Sequence, residues 1–176
     1  AKLQRETEAV SALLAGIFID TKNFSFQTGV RTFEAASFLR RAGADTTLTR
    51  QLFQDNMDTF LIRAEVVKKA QMYKNNIAIS YIPKNVDNPA LIAAQAADEL
   101  LNIKGINASF VLSEIEGYIF ISGRSLGEIN VQVVLEKLGG GGHLTVAGAQ
   151  LSGIDMEEAI TMIKNAIDEY IKEGER

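Results

Sequence analysis

The chain has 176 residues, of which 47% are hydrophobic, so it has enough apolar material for a core and suits one or two small domains. Its formal net charge of −4 argues against a protein that holds a long nucleic acid, which would need a surplus of Lys and Arg. The lack of cysteine excludes disulfides and thiolate metal sites.

The chain shows no membrane segment or targeting signal. Its longest apolar run, residues 12–19, is far shorter than the roughly 20 residues that span a bilayer. No basic and then apolar signal peptide opens the sequence. Because the first residue is not Met, we expect a part of a longer protein.

Helical patterns follow one another through the first 73 residues. Helix-forming residues with a broad apolar face predict a buried helix over residues 6–19, and a polar and aromatic loop follows. A second helix is predicted over residues 32–43, with Thr32 as N-cap and Gly43 as its stop. One short and one long helical pattern then continue to residue 73. This segment is therefore predicted to be all-helical.

Helices and strands alternate in the second half of the chain. The patterns predict, in order, a strand at 77–82, a helix at 88–105, two strands joined by a turn at 116–117, a helix from about 129, a strand from 143 and an amphipathic helix from 155. We therefore expect an α+β or α/β fold, with a helical N-terminal segment over residues 1–73. A mixed-sheet α/β domain of roughly four strands should follow over residues 74–176.

Four successive glycines, Gly139, Gly140, Gly141 and Gly142, lie between a predicted helix and a predicted strand. Such a run has a high entropic cost, but it allows backbone amides to converge on an anion without interference from side chains. A helix cap followed by a loose loop is an equally good interpretation from the residues alone. No Lys-Ser/Thr pair and no helix follows the run, so it is not one of the common nucleotide-binding loops.

Other polar residues near the run can bind the same anion. His143, the only histidine, follows the glycines and can donate to a phosphate oxygen, although a structural role is also open. Arg124 ends an apolar strand and can bind phosphate through two hydrogen bonds, or simply be an exposed strand end. Ser125 and Asn130 are candidate neutral donors.

The stretch SGRSLGEINVQVVLEKLGGGGHLTVAGAQL resembles the substrate-binding domain of the DHH phosphoesterase superfamily, whose hallmark is a GGGH loop. It is most similar to the cyclic di-AMP phosphodiesterases of the GdpP type, in which four glycines precede His-Leu-Thr and a later Gln-Leu. Oligonucleotidases and RecJ-like exonucleases usually continue with an Ala-Ala-Gly triplet, where this chain has VAGAQL. The resemblance therefore favours the cyclic di-AMP branch.

The stretch LLAGIFIDTKNFSFQTGVRTFEAASFLRRAGAD resembles the end of the catalytic DHH domain of the same enzymes. In that family the Asp of a D-T-K-x-F element binds one of two manganese ions, a role that carries over to Asp20. The family's other ligands, including an Asp-His-His triplet, have no counterpart in this sequence. We therefore expect a C-terminal part of the enzyme that is inactive alone and binds manganese weakly or not at all.

The resemblance implies a manganese-dependent phosphodiesterase that hydrolyses cyclic di-AMP to linear pApA. The glycine run, His143, Arg124, Ser125 and Asn130 would hold the phosphate that is not being attacked. The implied partner is a cyclic dinucleotide or a short oligonucleotide, with no long nucleic acid and no membrane contact by this part. A homodimer is left open. The implied location is cytoplasmic, in a parent protein anchored to the cell membrane.

Two alternatives remain open at this point. The first is a short-oligonucleotide exonuclease of the nanoRNase or RecJ-like type, which would use much the same residues. The second is a nucleotide-sensing module without catalysis, since the second half of the chain alternates helices and strands as small regulatory domains do. The choice between cyclic di-AMP and cyclic di-GMP also stays open. The glycine run disfavours a purely structural oligomerisation module.

Overall fold

The computed structural model describes residues 2–26, 28–74 and 76–174, with side chains described from residue 6 onward. It divides into two compact units between Asn56 and Met57. Among the described residues, no helix combines the length and the apolar content needed to cross a bilayer.

The described residues of the first unit form three helices around a small core. They are α1 (Lys2–Asp20), α2 (Val30–Arg41) and α3 (Thr46–Gln51). Leu14, Leu39 and Ala44 form the buried centre. The Ser11 hydroxyl donates to the Thr7 carbonyl at 2.6 Å and accepts the Asp45 amide at 2.8 Å, which connects α1 to the start of α3. The predicted helices of this segment are therefore present.

The predicted N-cap of the second helix was wrong. The helix begins at Val30 with Gly29 as its N-cap, and Thr32 lies inside the first turn. There the Thr32 hydroxyl accepts a hydrogen bond from the Gly29 amide at 3.4 Å. This bond from the third helical residue back to the cap is half of a capping box, which explains why the Thr marks the helix start without being its cap. Gly43 has a φ of 99°, as expected for a helix stop.

The second unit is a mixed six-stranded sheet with helices on both faces. The helices are α4 (Met57–Lys68), α5 (Pro89–Leu100), α6 (Val131–Glu136) and α7 (Met156–Gly174), and the strands are β1 (Gln71–Tyr73), β2 (Ile77–Tyr81), β3 (Ala108–Ile115), β4 (Tyr118–Ser125), β5 (Gly141–Gly142) and β6 (Val146–Ser152). The strand order is β1-β2-β3-β4-β6-β5. Among the described strands, β2 and β3 pair in parallel and the other neighbours pair antiparallel. The expected α+β architecture is confirmed.

The count of roughly four strands and the all-helical first 73 residues were wrong. Strand β1 ends at Tyr73 and pairs with β2, and strand β5 lies inside the glycine run. Both strands are too short to show a period of two, so only their pairing partners reveal them. The helix predicted at 88–105 ends at Leu100, and the helix predicted from about 129 begins at Val131.

Helix α4 belongs to the second unit, although the expected domain boundary lies after residue 73. Its Val66 is fully buried in the same apolar cluster as Ala93 and Leu100 of α5. The Arg63 guanidinium also donates to the Glu99 carboxylate at 2.7 Å. These contacts explain why the compact unit begins at Met57. The assignment of residues 1–73 to a catalytic domain stays a prediction.

The two faces of the sheet differ in how much of them is covered. On one face, Ile119 and Ile121 of β4 and Ala149 of β6 pack with α6 and α7 in the main core. On the other face, α4 and α5 cover residues such as Ala78 and Val111. Because side chains alternate along a strand, β6 also presents exposed residues at every second position on that second face. We call this uncovered part of β4, β6 and β5 the open face.

Strand β1 is tied to α7 by a polar cluster. The Tyr73 hydroxyl donates to the Asp168 carboxylate at 2.8 Å, and the Lys74 ammonium lies 3.1 Å from the same oxygen. The hydrogen bond from Tyr73, and then the one from Lys74, lower the pKa of Asp168. Burial, and then the bond to Asp168, raise the pKa of Tyr73.

We expect Asp168→Asn to destabilise the protein by about 1 kcal/mol at pH 7, since it weakens a partly exposed charge-assisted hydrogen bond. A carboxylate whose pKa is lowered on folding stabilises above its ordinary pKa, and this contribution is lost as pH falls through the lowered value. The difference from wild type should therefore shrink in acid. Urea unfolding at several pH values measures it, with exposed Asp87→Asn as the control. Equal effects of the two substitutions would contradict the prediction.

Candidate functional site

The sheet places Arg124 and His143 in one row across the open face. Arg124, near the end of β4, is the cross-strand partner of Val146 on β6. The His143 amide donates to the Val146 carbonyl at 2.7 Å, and the Val146 amide donates back at 3.3 Å. Since neighbouring strands are about 5 Å apart, the backbones of Arg124 and His143 are about 10 Å apart. His143 lies in the turn between β5 and β6, and it does not begin a strand as expected.

The Arg124 side chain is held from two sides. Its Nε lies 3.4 Å from the Asp98 carboxylate on α5, and one terminal nitrogen donates to the Gly123 carbonyl at 2.9 Å. The side chain is only 14% exposed. A guanidinium has five N–H donors, and its remaining donors form no hydrogen bond to the described residues. Arg124 is therefore an oriented cation with spare donors. The His143 side chain, by contrast, is exposed.

Three of the four glycines are required by the path of the chain. Gly139 has a φ of 74°, which side chains rarely tolerate. A Cβ on Gly142 would lie 2.5 Å from the Val146 carbonyl oxygen, and a Cβ on Gly140 would collide with the Gly148 carbonyl oxygen. The run can therefore pack closely against β6 only because it lacks side chains.

Gly141 has no such structural explanation. A Cβ there would meet no atom within 4 Å, and a Cβ on its cross-strand partner Gly148 would meet only the Ile121 carbonyl oxygen at an ordinary 3.5 Å. Both glycines are exposed. We call this pair the glycine patch. It leaves a flat area on the open face, beside Ser122 of β4, that side chains could occupy but do not.

The glycine run does not form the cluster of free amides expected from its sequence. The Gly139 amide donates to the Glu136 carbonyl, and the Gly140 amide donates to the Leu135 carbonyl. The His143 amide closes the turn described above. These amides are satisfied within the protein because the run packs as a helix end and a strand. What the run offers a ligand is space for close approach. That these residues bind substrate stays a prediction.

Ser125 and Asn130 are engaged in bonds within the protein. The Ser125 hydroxyl lies 3.3 Å from the Leu144 carbonyl, to which it donates. The Asn130 side-chain oxygen caps α6 by accepting the amides of Gln132 and Val133. Both residues therefore hold the loops that flank the His143 turn. Their proposed contact with an anion stays a prediction.

Three polar residues of this region were not singled out from the sequence. In the sequence, Asp98 looks like an ordinary carboxylate on a helix surface. Only the packing of α5 brings it into contact with Arg124. Ser122 lies on β4 and Gln150 lies on β6. Both are among the residues, every second one along each strand, that face the open side of the sheet. The period of two in these strands could have identified them, if it had been clear which face is uncovered.

Asp20 is the last residue of α1 and is exposed. A carboxylate at that end of a helix is disfavoured by the helix dipole. The next turn is also unfavourable, since Lys22, Asn23 and Phe24 have φ values of 45°, 55° and 64°. Hydrogen bonds support it, among them one from the Asn23 amide to the Phe18 carbonyl at 2.8 Å. Backbone strain of this kind is concentrated at functional sites, which supports Asp20 as a candidate.

The residues around Asp20 do not fit a two-manganese centre by themselves. Within residues 2–26, 28–74 and 76–174, no group of three or more His, Cys, Asp or Glu side chains could hold a metal ion. A pair of metal ions needs several such ligands. That Asp20 binds manganese therefore stays a prediction, which these residues alone do not support.

We expect Gly140→Ala and Gly141→Ala to differ sharply in stability. The first forces a Cβ into the β6 backbone and should cost about 1–3 kcal/mol, as overpacking does. The second adds a methyl group in open space and should change the free energy of unfolding by less than about 0.5 kcal/mol. Urea unfolding of both variants measures the difference. Equal losses would show that Gly141, too, is needed for packing.

Comparison with known proteins places these features in a family. The model of the DHHA1 domain matches residues 74–173. The chain is 48% identical over 167 residues to the cyclic-di-AMP phosphodiesterase GdpP of Bacillus subtilis and 47% identical over 163 residues to the cyclic-di-AMP phosphodiesterase PdeA of Listeria monocytogenes. These alignments cover 93% and 92% of this chain, but only 25% of each relative.

A solved structure also supports the fold. An exopolyphosphatase-related protein from Bacteroides fragilis superposes with a TM-score of 0.82 at 23% identity. The match covers 94% of this chain and 51% of that protein. At this identity the likeness concerns the fold alone.

Proposed function

Because the chain belongs to the DHHA1 domain family, we propose that it is the substrate-binding part of a phosphodiesterase that hydrolyses cyclic di-AMP to linear pApA. The observation that carries the proposal is the row formed by Arg124 and His143 beside the glycine patch. The relatives named cyclic-di-AMP phosphodiesterase support the choice of substrate. The chain spans about a quarter of their length, so the activity is proposed for the whole protein.

The proposed task of this chain is to hold one phosphate of the substrate. Arg124 supplies a fixed positive charge with spare donors, which suits the bidentate binding of a phosphate. His143 is exposed in the same row and can donate from its ring. The glycine patch lets the ligand lie against the strands without meeting a side chain. In a cyclic dinucleotide, binding of one phosphate orients the other phosphate for attack by water.

Asp98 is expected to orient the Arg124 guanidinium for this binding. It contacts Nε from α5, which leaves terminal N–H donors of the guanidinium for the ligand. Asp98 also offsets the charge of a mostly buried cation in the absence of ligand. Binding thus depends on how α5 packs against the sheet as well as on the glycine run.

Manganese dependence is part of the proposal for the whole protein. Manganese would supply the activated water that attacks phosphorus, and Asp20 is the candidate ligand in this chain. The other ligands would have to come from other parts of the whole protein. The steps assigned to this chain are binding and orientation.

We expect Arg124→Ala to weaken cyclic di-AMP binding by about 10- to 150-fold in the full-length protein, since it removes charge-assisted hydrogen bonds. His143→Ala should weaken binding by a smaller factor, because the exposed His143 ring offers fewer donors than the Arg124 guanidinium. Calorimetry measures binding, with divalent metal ions removed by a chelator so that the ligand is not hydrolysed. Hydrolysis of cyclic di-AMP and of a short RNA measures activity and substrate choice.

The control for this experiment is Arg50→Ala, which removes the same charge from an exposed position on α3. It should leave binding unchanged. Undiminished binding in both Arg124→Ala and His143→Ala would contradict the proposed phosphate site. Faster cleavage of short RNA than of cyclic di-AMP would favour the exonuclease alternative.

A further inference from the structure

The residue pairs on the open face differ in charge, size and polarity from one end of the strands to the other. Three cross-strand pairs follow one another on this face, in the order Arg124 with Val146, Ser122 with Gly148, and Phe120 with Gln150. Alternate residues on a strand are about 7 Å apart, so the outer pairs are separated by about 14 Å. The first pair carries charge, the second is small, and the third combines an aromatic ring with an amide. This order matches the phosphate, sugar and base of a nucleotide.

Helix α5 lies beside these pairs, and the side chains on its near side also change from charged to apolar along its length. It connects the parallel strands β2 and β3, so it runs opposite to them. Asp98, near its C-terminal end, contacts Arg124. Ala94 and Leu91 lie one and two turns earlier on the same side of the helix, and Leu91 is 59% exposed. The charged end of α5 is therefore next to the charged pair, and its apolar end lies toward the pair of Phe120 and Gln150.

We propose that Phe120 and Gln150 form a subsite for an adenine base. The proposal rests on the function proposed above, because Arg124 and His143 set the position of the phosphate. Phe120 is half-buried and can offer its ring for stacking, and the exposed Leu91 of α5 lies toward the same end of the open face. Gln150 is exposed, and its side-chain amide forms no hydrogen bond to the described residues. Its amide has the donor and the acceptor that pair with N7 and N6 of adenine.

The middle of the open face supports a ligand that bridges the two ends. Ser122 and the glycine patch leave space for a ribose between the phosphate and the base. The long side chains of Arg124 and Gln150 can shorten the separation of about 14 Å between their backbones. The lack of a packing reason for Gly141 is explained if a sugar lies against it.

The test combines the substitution of one residue, Gln150, with a change at one position of the base. Binding is measured for each combination in the full-length protein, with divalent metal ions removed by a chelator. Cyclic di-AMP and cyclic di-IMP differ at the 6-position of the purine, which Gln150 is proposed to contact. Wild type should bind cyclic di-AMP more tightly by roughly 5- to 150-fold, and Gln150→Ala should bind the two ligands about equally. Phe120→Leu should weaken both ligands by a similar factor. Gln71→Ala, an exposed glutamine on β1, is the matched control and should change neither.

The outcomes separate this proposal from the function on which it rests. If Arg124→Ala weakens binding but Gln150→Ala keeps the preference for cyclic di-AMP, the adenine subsite is wrong and the phosphate site stands. If Arg124→Ala has no effect either, the phosphate site itself is wrong. Because Gln150 is exposed, its substitution should leave the melting temperature unchanged, so a loss of preference would not reflect unfolding.

Discussion

The close packing of the glycine run against β6 determines where the candidate binding residues lie. Gly140 and Gly142 approach the β6 backbone so closely that no side chain fits between them. This approach forms β5 and the tight turn that holds His143 beside Val146. Val146 is in turn the neighbour of Arg124. The run therefore acts mainly through packing, and its consequence for ligands is the exposed glycine patch that the packing leaves behind.

The second constraint is electrostatic. The chain as a whole is negative, yet the open face has an oriented arginine at its edge. A cation that is only 14% exposed needs a partner, and Asp98 provides one from a neighbouring helix. An anion that binds Arg124 therefore meets a donor set whose geometry already exists, which lowers the entropic cost of binding. A local site of this kind suits a small phosphate ligand better than a long nucleic acid.

The parts of the fold that the sequence predicts are those with strong local signals. The amphipathic pattern of α7 and the turn at Glu116 and Gly117 correspond to observed elements, and both turn residues have the positive φ that such a hairpin needs. Strands β1 and β5 could not be predicted, because segments of two or three residues become strands only through their partners. The packing of α4 with the second unit is likewise a tertiary effect.

The residues of the candidate site also divide into those with a strong signal in the sequence and those that only tertiary packing reveals. Arg124 and His143 are unusual enough in the sequence to be singled out, and the sheet brings them into one row. Asp98, Gly148 and Gln150 look ordinary in sequence, since their places at the candidate site depend on the packing of α5 and on which face of the sheet is left uncovered. The run also suggested free amides, whereas the structure uses several of them in its own hydrogen bonds. Sequence alone could not show how many donors the protein would keep for itself.

The central claim is that the open face of the sheet binds the nucleotide. Amide chemical shifts of the isotope-labelled chain, recorded while cyclic di-AMP is added to millimolar concentration, test it most directly because they also detect weak binding. We expect the largest shifts at Arg124, Gly141 and Gly148, and none at Ala159 and Ile163, which α7 buries on the opposite face. Shifts concentrated on α7, with the open face unchanged, would contradict the account.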